Sequence, residues 1–382
     1  MKAERIAVLT SGGDAPGMNA AIRAVVRTAK AKAEKENRTI EVVGIRHGYN
    51  GLVNIGEIIQ ATGGYDIEND PQKNAILMEL RTVSGIIHKG GTMLYTARSN
   101  RFRTPQGVAL GKLACKVLNI KGIVVIGGDG SFAGANDLCT GEDAVHCIGI
   151  PGTIDNDIRC TEYTIGFDTA MNTAMEMTDK IRDTMEAHDR CCIIEVMGRN
   201  AGDLALYTGI AVGATAVLIP EKVNTMEDVV NEVSDRIEET RKTGKEYFII
   251  VAAEGVSFKL GISTQTIANA IELKIKEIIK RERESLSELE RKALEVEDIE
   301  EKTRVTVLGH VQRGGCPTAR DRAVASQMGN HAVELLLEGQ SAKIVIMKDG
   351  RITNCDFALS RKDAPAKPFD EKFYAVAHEL SI

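Results

Sequence analysis

No CxxC pair occurs among the eight cysteines of this sequence (Cys115, Cys139, Cys147, Cys160, Cys191, Cys192, Cys316 and Cys355), and no window offers 18 uninterrupted apolar residues. The first absence, in a chain far larger than a disulfide-stapled domain, predicts free thiols in a reducing cytosol. The second argues against a membrane span. The N-terminus, MKAERIAVLT, moves from charge straight into a strand-like run without a signal peptide's apolar region, so a cytoplasmic location is expected. A strong basic excess is also missing: 48 Lys and Arg stand against 54 Asp and Glu, a formal net charge of -6, which argues against a nucleic-acid binder. Neither GxxxxGK[ST] nor, at the first strand–helix junction, GxGxxG is present, which disfavours a P-loop NTPase and an ordinary dinucleotide dehydrogenase. Nucleotide binding stays open, because backbone N–H groups of glycine turns hold phosphate without a Walker lysine.

What is present is an alternation of short apolar runs and helical segments over 382 residues with 43% hydrophobic content. That length predicts two domains or one extended unit, and the alternation predicts an α/β fold around a largely parallel sheet. Three apolar runs end in glycine and Asp: 6–9 before Gly12-Gly13-Asp14, 123–126 before Gly127-Gly128-Asp129-Gly130-Ser131, and 145–150 before Pro151-Gly152-Thr153-Ile154-Asp155-Asn156-Asp157. Ligands of such sheets gather at strand carboxyl ends. In extended backbone, Asp155 and Asp157 point the same way and address one site. A domain changeover is expected shortly after Asp157. The segment 265–301 has neither Gly nor Pro and is dense in Lys, Arg and Glu after Lys274, which predicts a solvated helix or helical hairpin.

Phosphoryl transfer needs a metal ligand, a proton acceptor and cations for the migrating charge. Asp129, a hard carboxylate between glycines, suits Mg²⁺. Asp155 and Asp157 offer a base and a charged neighbour whose repulsion favours proton uptake. Arg98, Arg199 and Arg313 stand where strands finish, with Arg190 and Arg304 just before strands, and guanidinium forks match phosphate oxygens. His310 keeps company with Arg304 and Arg313, and Glu254 suits sugar hydroxyls.

The stretches LTSGGDAPGMNAAIR at 9–23, VVIGGDGS at 124–131, PGTIDND at 151–157, TIGFDTA at 164–170, EVMGRNAGD at 195–203 and LGHVQRGG at 308–315 resemble, in this order, the ATP-dependent bacterial type of the 6-phosphofructokinase family, across most of residues 4–350. The resemblance implies two Rossmann-like α/β/α sandwich domains: 1–166 with 312–362 for the nucleotide, and 167–311 with 363–382 for the sugar phosphate. It makes Asp155 the base toward the 1-hydroxyl of fructose 6-phosphate, with Thr153 and Asp157 positioning the reacting groups. Arg98 and Arg199 then neutralise the γ-phosphoryl and Asp129 holds Mg²⁺. Gly13, Phe102, Arg103, Gly130, Ser131 and Gly134 accommodate ATP. Met197, Gly198 and Glu254 contact the sugar, and Arg190, Arg304, His310 and Arg313 receive its 6-phosphate. The family is typically a homotetramer in which some of those arginines come from a neighbouring subunit.

Pyrophosphate-dependent relatives resemble this chain except for Asp at the position of Gly130 and Lys at that of Gly152, so the two glycines favour ATP by leaving room for the nucleotide. A pyrophosphate-dependent phosphofructokinase is therefore the competing enzyme, and a silent sugar-phosphate-binding regulatory subunit the competing non-enzyme. Arg23, Arg27, Arg182 and Lys245 match the family's basic effector residues for ADP or phosphoenolpyruvate. The acidic position there aligns with Thr215, the 50–84 segment is longer than usual, and Tyr95 stands where glycine is commoner.

Overall fold

The β-branched runs become strands in the computed structural model, which describes residues 4–285, 303–360, 367 and 369–380. In chain order come β1 (Glu4–Ser11), α1 (Met18–Lys35), β2 (Ile40–Ile45), α2 (Tyr49–Thr62), β3 (Ala75–Met78), α3 (Pro105–Val117), β4 (Ile120–Gly127), α4 (Asp129–Cys139), β5 (His146–Pro151) and α5 (Phe167–Glu186). They are followed by β6 (Cys191–Val196), α6 (Asp203–Ala211), β7 (Ala216–Leu218), α7 (Met226–Arg241), β8 (Phe248–Ala253), α8 (Glu254–Leu260) and α9 (Thr264–Ser285). Last come β9 (Arg304–Val307), α10 (Ala319–Leu337), β10 (Lys343–Lys348), β11 (Arg351–Asp356) and α11 (Glu371–Glu379).

The chain divides into two compact units, the first within Met1–Ala170 and Arg313–Lys367, the second within Met171–Gln312 and Pro368–Ile382. Unit 1 has a seven-stranded sheet in the order β11-β10-β5-β4-β1-β2-β3. Its five inner strands run parallel, and β3 and β11 are antiparallel edges. Strands buried on both faces require near-continuous apolar runs, which is why 123–126 lacks alternation. Aliphatic side chains of β1, β2, β4 and β10, with Cys147 of β5 and with Leu52, Leu110 and Phe132, fill the core on one face. On the other, α1 meets α10 so closely that a Cβ on Gly329 would lie 2.7 Å from Ala21 O.

Unit 2 has a four-stranded parallel sheet, β7-β8-β6-β9. Its core joins Ile193, Leu218 and Ile250 to Val233 and Ile237 of α7 and Ile267, Ile271 and Ile275 of α9. The 265–301 segment is helical as far as α9 reaches, and α9 is pinned to α7 by ion pairs from Arg241 to Glu282 (3.0 Å) and from Arg281 to Glu238. The rest of it, 286–301, lies outside the described residues. All eight cysteines are free thiols, and no described helix is long and apolar enough to cross a membrane.

Candidate active site

Register alone brings the three glycine–Asp turns of unit 1 together. Ser11 pairs with Gly127, and Gly127 with Pro151, so β1, β4 and β5 end side by side at one edge of the sheet. Gly152 N donates to Gly127 O (3.0 Å), and Ser131 Oγ donates to Ser11 O (2.9 Å). Only glycine fits at 127, where a Cβ would sit 2.4 Å from Ser11 O and Ser131 Oγ.

Asp129 opens α4, where the helix dipole favours negative charge. A Cβ on Gly128 or Gly130 would meet no atom within 4 Å, so the backbone beside Asp129 is open to a phosphate. No group of three or more His, Cys, Asp or Glu converges among the described residues. One hard carboxylate next to open backbone fits Mg²⁺ that arrives on substrate phosphates, a mode in which the protein supplies one or two ligands.

The alternation expected of Asp155 and Asp157 does not occur. Asn156 adopts the left-handed conformation, φ 52°, and Asp155 lies in a turn closed by Asp155 N donating to Thr153 Oγ1 (3.2 Å). Asn tolerates that backbone region, and a hydroxyl-closed turn competes with extended structure. Asp155 is buried and Asp157 half-buried, and Thr153 O accepts from Thr164 Oγ1 (2.6 Å).

The 96–103 segment reaches the first turn through the backbone. Gly12 N donates to Ala97 O (3.4 Å) and Thr96 Oγ1 to Gly12 O (3.0 Å), which sets exposed Arg98 beside the Gly12-Gly13 turn. Tyr95 occupies a φ of 55°, where glycine would be easier. The Arg46 guanidinium over its ring (4.4 Å to the centroid) and a stacked His47 (5.1 Å) hold it. Phe102 is buried rather than open, stacked on Tyr49 at 4.3 Å, while Arg103 is exposed. Tyr49 is a residue the sequence reasoning missed. Its hydroxyl donates to Ser131 O (2.5 Å), and its ring fills the place a Cβ on Gly134 would take. It therefore touches three residues assigned to the nucleotide, and its position after the His47-Gly48 turn was the available signal.

Gly152 differs from the expected empty space. A Cβ there would meet Ile126 Cγ2 at 3.0 Å and Met18 Cε at 3.1 Å, so core side chains fill that direction and only Gly130 leaves open room. Arg313 lies in unit 1, its Nη1 donating to Asp14 O (3.2 Å) and packing where a Cβ on Gly13 would be 2.8 Å away.

Unit 2 repeats the device. Val196 pairs with Ala253 and Glu195 with Val307, so β6, β8 and β9 deliver Met197-Gly198-Arg199, Glu254 and Gly309-His310 from one edge. Gly198 (φ 137°) and Arg199 (φ 56°) form a strained turn, and Arg199 N donates to Glu254 Oε1 (2.8 Å). Such outliers cluster at functional sites. Gln312, unassigned by sequence, accepts from Met197 N at Oε1 (3.4 Å) and donates from Nε2 to Gly309 O (3.2 Å), joining two of these turns. Arg190 and Arg304 are not brought there. Arg304 pairs with Cys192, and Arg190 immediately precedes β6, so both lie at the opposite, amino edge of the sheet.

The effector candidates divide as well. Arg23 and Arg27 stand one turn apart on α1 of unit 1. In unit 2, Arg182 donates to Val212 O, and burial together with the Arg182 charge lowers the Lys245 ammonium below its usual range. Thr215 is buried with its Oγ1 accepting from Ile249 N (3.3 Å), so it takes part in the sheet.

The fold and the paired strand ends define an α/β protein with two phosphate-type turn clusters. Residues 5–336 match the family model described as phosphofructokinase, and the chain belongs to that family. It is 45% identical over 379 residues to the ATP-dependent 6-phosphofructokinase of Clostridium tetani (99% of each chain). It is 44% identical over 381 residues to that of Bacillus thuringiensis, covering 99% of this chain and 100% of the relative. Among solved structures, phosphofructokinase from Saccharomyces cerevisiae superposes with a TM-score of 0.75 at 30% identity over 94% of this chain, which spans 45% of the yeast chain.

Proposed function

We infer that this chain transfers the γ-phosphoryl group of ATP to the 1-hydroxyl of fructose 6-phosphate, giving fructose 1,6-bisphosphate and ADP, the committing phosphorylation of glycolysis. The observation that carries the reading is the open backbone at Gly130 beside Asp129, room that a nucleotide needs and pyrophosphate does not.

In this reading Asp155 accepts the proton of the attacking hydroxyl. Thr153, whose Oγ1 receives Asp155 N, and Asp157 set the approach of the reacting groups. Arg98 and Arg199 face the charge developing on the migrating phosphoryl. Gly13, Phe102, Arg103, Gly130, Ser131 and Gly134 hold the nucleotide, Phe102 through its stack on Tyr49. Mg²⁺ bound at Asp129 supplies charge neutralisation to the phosphates. Met197, Gly198 and Glu254 receive the sugar. Of the four groups proposed for the 6-phosphate, His310 shares the carboxyl edge of unit 2, and Arg313 sits on Gly13.

Arg190 and Arg304 need a different source. A six-residue strand is about 20 Å long, and they stand at its far end from Met197 and His310. That separation supports a neighbouring subunit contributing them, in the homotetramer that the family resemblance implies. Arg23, Arg27, Arg182 and Lys245 are proposed for an ADP or phosphoenolpyruvate effector, in an enzyme of the cytoplasm.

The test is a coupled assay for fructose 1,6-bisphosphate run with ATP and, separately, with pyrophosphate. Turnover with ATP and none with pyrophosphate is expected. The reverse result would transfer the chain to the pyrophosphate-dependent enzymes, and silence with both would leave the regulatory-subunit reading.

A further inference from the structure

Asp321 is fully buried, and burying a carboxylate is costly unless donors surround it. Its donors are specific. Oδ1 accepts from Tyr163 Oη (2.6 Å) and Gly166 N (2.7 Å), and Oδ2 accepts from Thr169 N (2.9 Å) and Thr169 Oγ1 (2.5 Å). Burial raises the Asp321 carboxyl above its ordinary range while these bonds pull it back, and burial beside Asp321 keeps Tyr163 protonated as a donor.

The position within the helix makes this arrangement unusual. Asp321 is the third residue of α10, and its N–H donates to the capping hydroxyl of Thr318 (3.2 Å). An acid there ordinarily folds back onto the N–H of its own cap. Here Thr318 N donates to Thr169 Oγ1 instead (3.1 Å), and the Asp321 carboxylate serves the N-terminus of α5. One carboxylate therefore lies at the positive ends of two helices.

From there a short chain of bonds reaches the 151–157 loop. Gly166 is followed backward by Ile165, whose N donates to Pro151 O (2.9 Å), and which forms an isolated parallel bridge with Gly152. Next is Thr164, whose Oγ1 donates to Thr153 O (2.6 Å). Thr153 Oγ1 in turn receives Asp155 N.

We propose that Asp321 is a positioning residue for phosphoryl transfer, fixing the 163–169 segment so that Thr164 holds the backbone of Thr153 and thereby places Asp155. The proposal rests on the reading of Asp155 as the base. Replacing a carboxylate whose only task was stability would strand its donors and lower the thermal midpoint, but leave kcat, measured well below that midpoint, unchanged. Replacing one that sets a loop under the reacting atoms would lower kcat as well, because a misplacement near 1 Å costs about 100-fold in rate.

The experiment measures kcat, both KM values and thermal midpoints for Thr164→Val, Thr164→Ser and Asp321→Asn, with Asp155→Asn as control, well below every midpoint. Thr164→Val removes the bond to Thr153 O and a longer one to Asn156 Oδ1 (3.5 Å) in the same loop, and retains the side chain's shape. It should lower kcat about 10- to 100-fold with KM values within about 3-fold of the parent, and Thr164→Ser should restore most of kcat. Asp321→Asn, where it folds, should show the same kcat-weighted loss. Parental kcat in Thr164→Val, or equal losses in the Val and Ser variants, would overturn the proposal while an inactive Asp155→Asn leaves the base assignment standing. An active Asp155→Asn would remove the assignment and the proposal together.

Discussion

In unit 1 the groups assigned to the reaction sit in turns closed by hydroxyls and backbone: Ser131 on Ser11, Thr153 on Asp155, Thr164 on Thr153. In unit 2 the corresponding strand ends carry exposed charge, Arg199 and His310, with the turn held by bonds from Arg199 N to Glu254 Oε1 and from Ala201 N to Gly198 O and by the Gln312 bridge. Both use three adjacent parallel strands. Under the proposed roles, the difference follows from what each has to do. A group that takes a proton must be held to a fraction of an ångström, whereas charges that receive a phosphate work through a field that tolerates movement.

That contrast orders the expected effects of mutation. Asp155→Asn keeps the size of a buried side chain and removes its basicity. The expectation is a folded protein with near-parental substrate KM and kcat lower by about two to four orders of magnitude. Steady-state kinetics on variants with matched circular dichroism would check it, and an unchanged kcat would place the base elsewhere.

Arg304 at the amino edge of unit 2 should behave differently. Arg304→Ala is expected to raise KM for fructose 6-phosphate by about 10- to 100-fold, the loss of a charge-assisted phosphate contact. Coexpression of Arg304→Ala with Asp155→Asn chains carrying different tags should then recover activity above either homomer, because one class of hybrid site is intact. Purified hybrids no more active than the homomers would mean that each chain completes its own site.

Much of this was legible in the sequence, for a definite reason. β1, β4, β5 and β8 are buried on both faces, so their apolar runs are continuous, and the glycine turns that follow mark the strand ends where sites form. β3 was not legible. It is a four-residue antiparallel edge behind a polar loop, too short to announce itself. Tyr49, Gln312 and Asp321 escaped because their roles are bonds to residues 82, 115 and 155 positions away, which no local pattern encodes. The extended backbone assumed between Asp155 and Asp157 was not met, because Asn156 is left-handed and breaks the alternation between them.

The smallest effect tests whether the rigidity of unit 1 lies in its turns. Gly127 and Gly130 are three residues apart in the same strand–helix junction, yet a Cβ at 127 would collide with Ser11 O and Ser131 Oγ while one at 130 meets nothing. Ser11 O is sheet-edge backbone and cannot swing aside, so Gly127→Ala must shift β4 against β1 and break the Ser131–Ser11 bond. A destabilisation of about 1–3 kcal/mol is expected, the usual size for overpacking a close contact. Gly130→Ala lies within α4, where alanine is the better helix former, so its stability should stay within about 0.5 kcal/mol of the parent. Denaturant midpoints at constant slope give both numbers. Equal stability of the two variants would mean that the junction yields easily, and the rigidity assigned to unit 1 would then have to come from the α5–α10 contact at Asp321 instead.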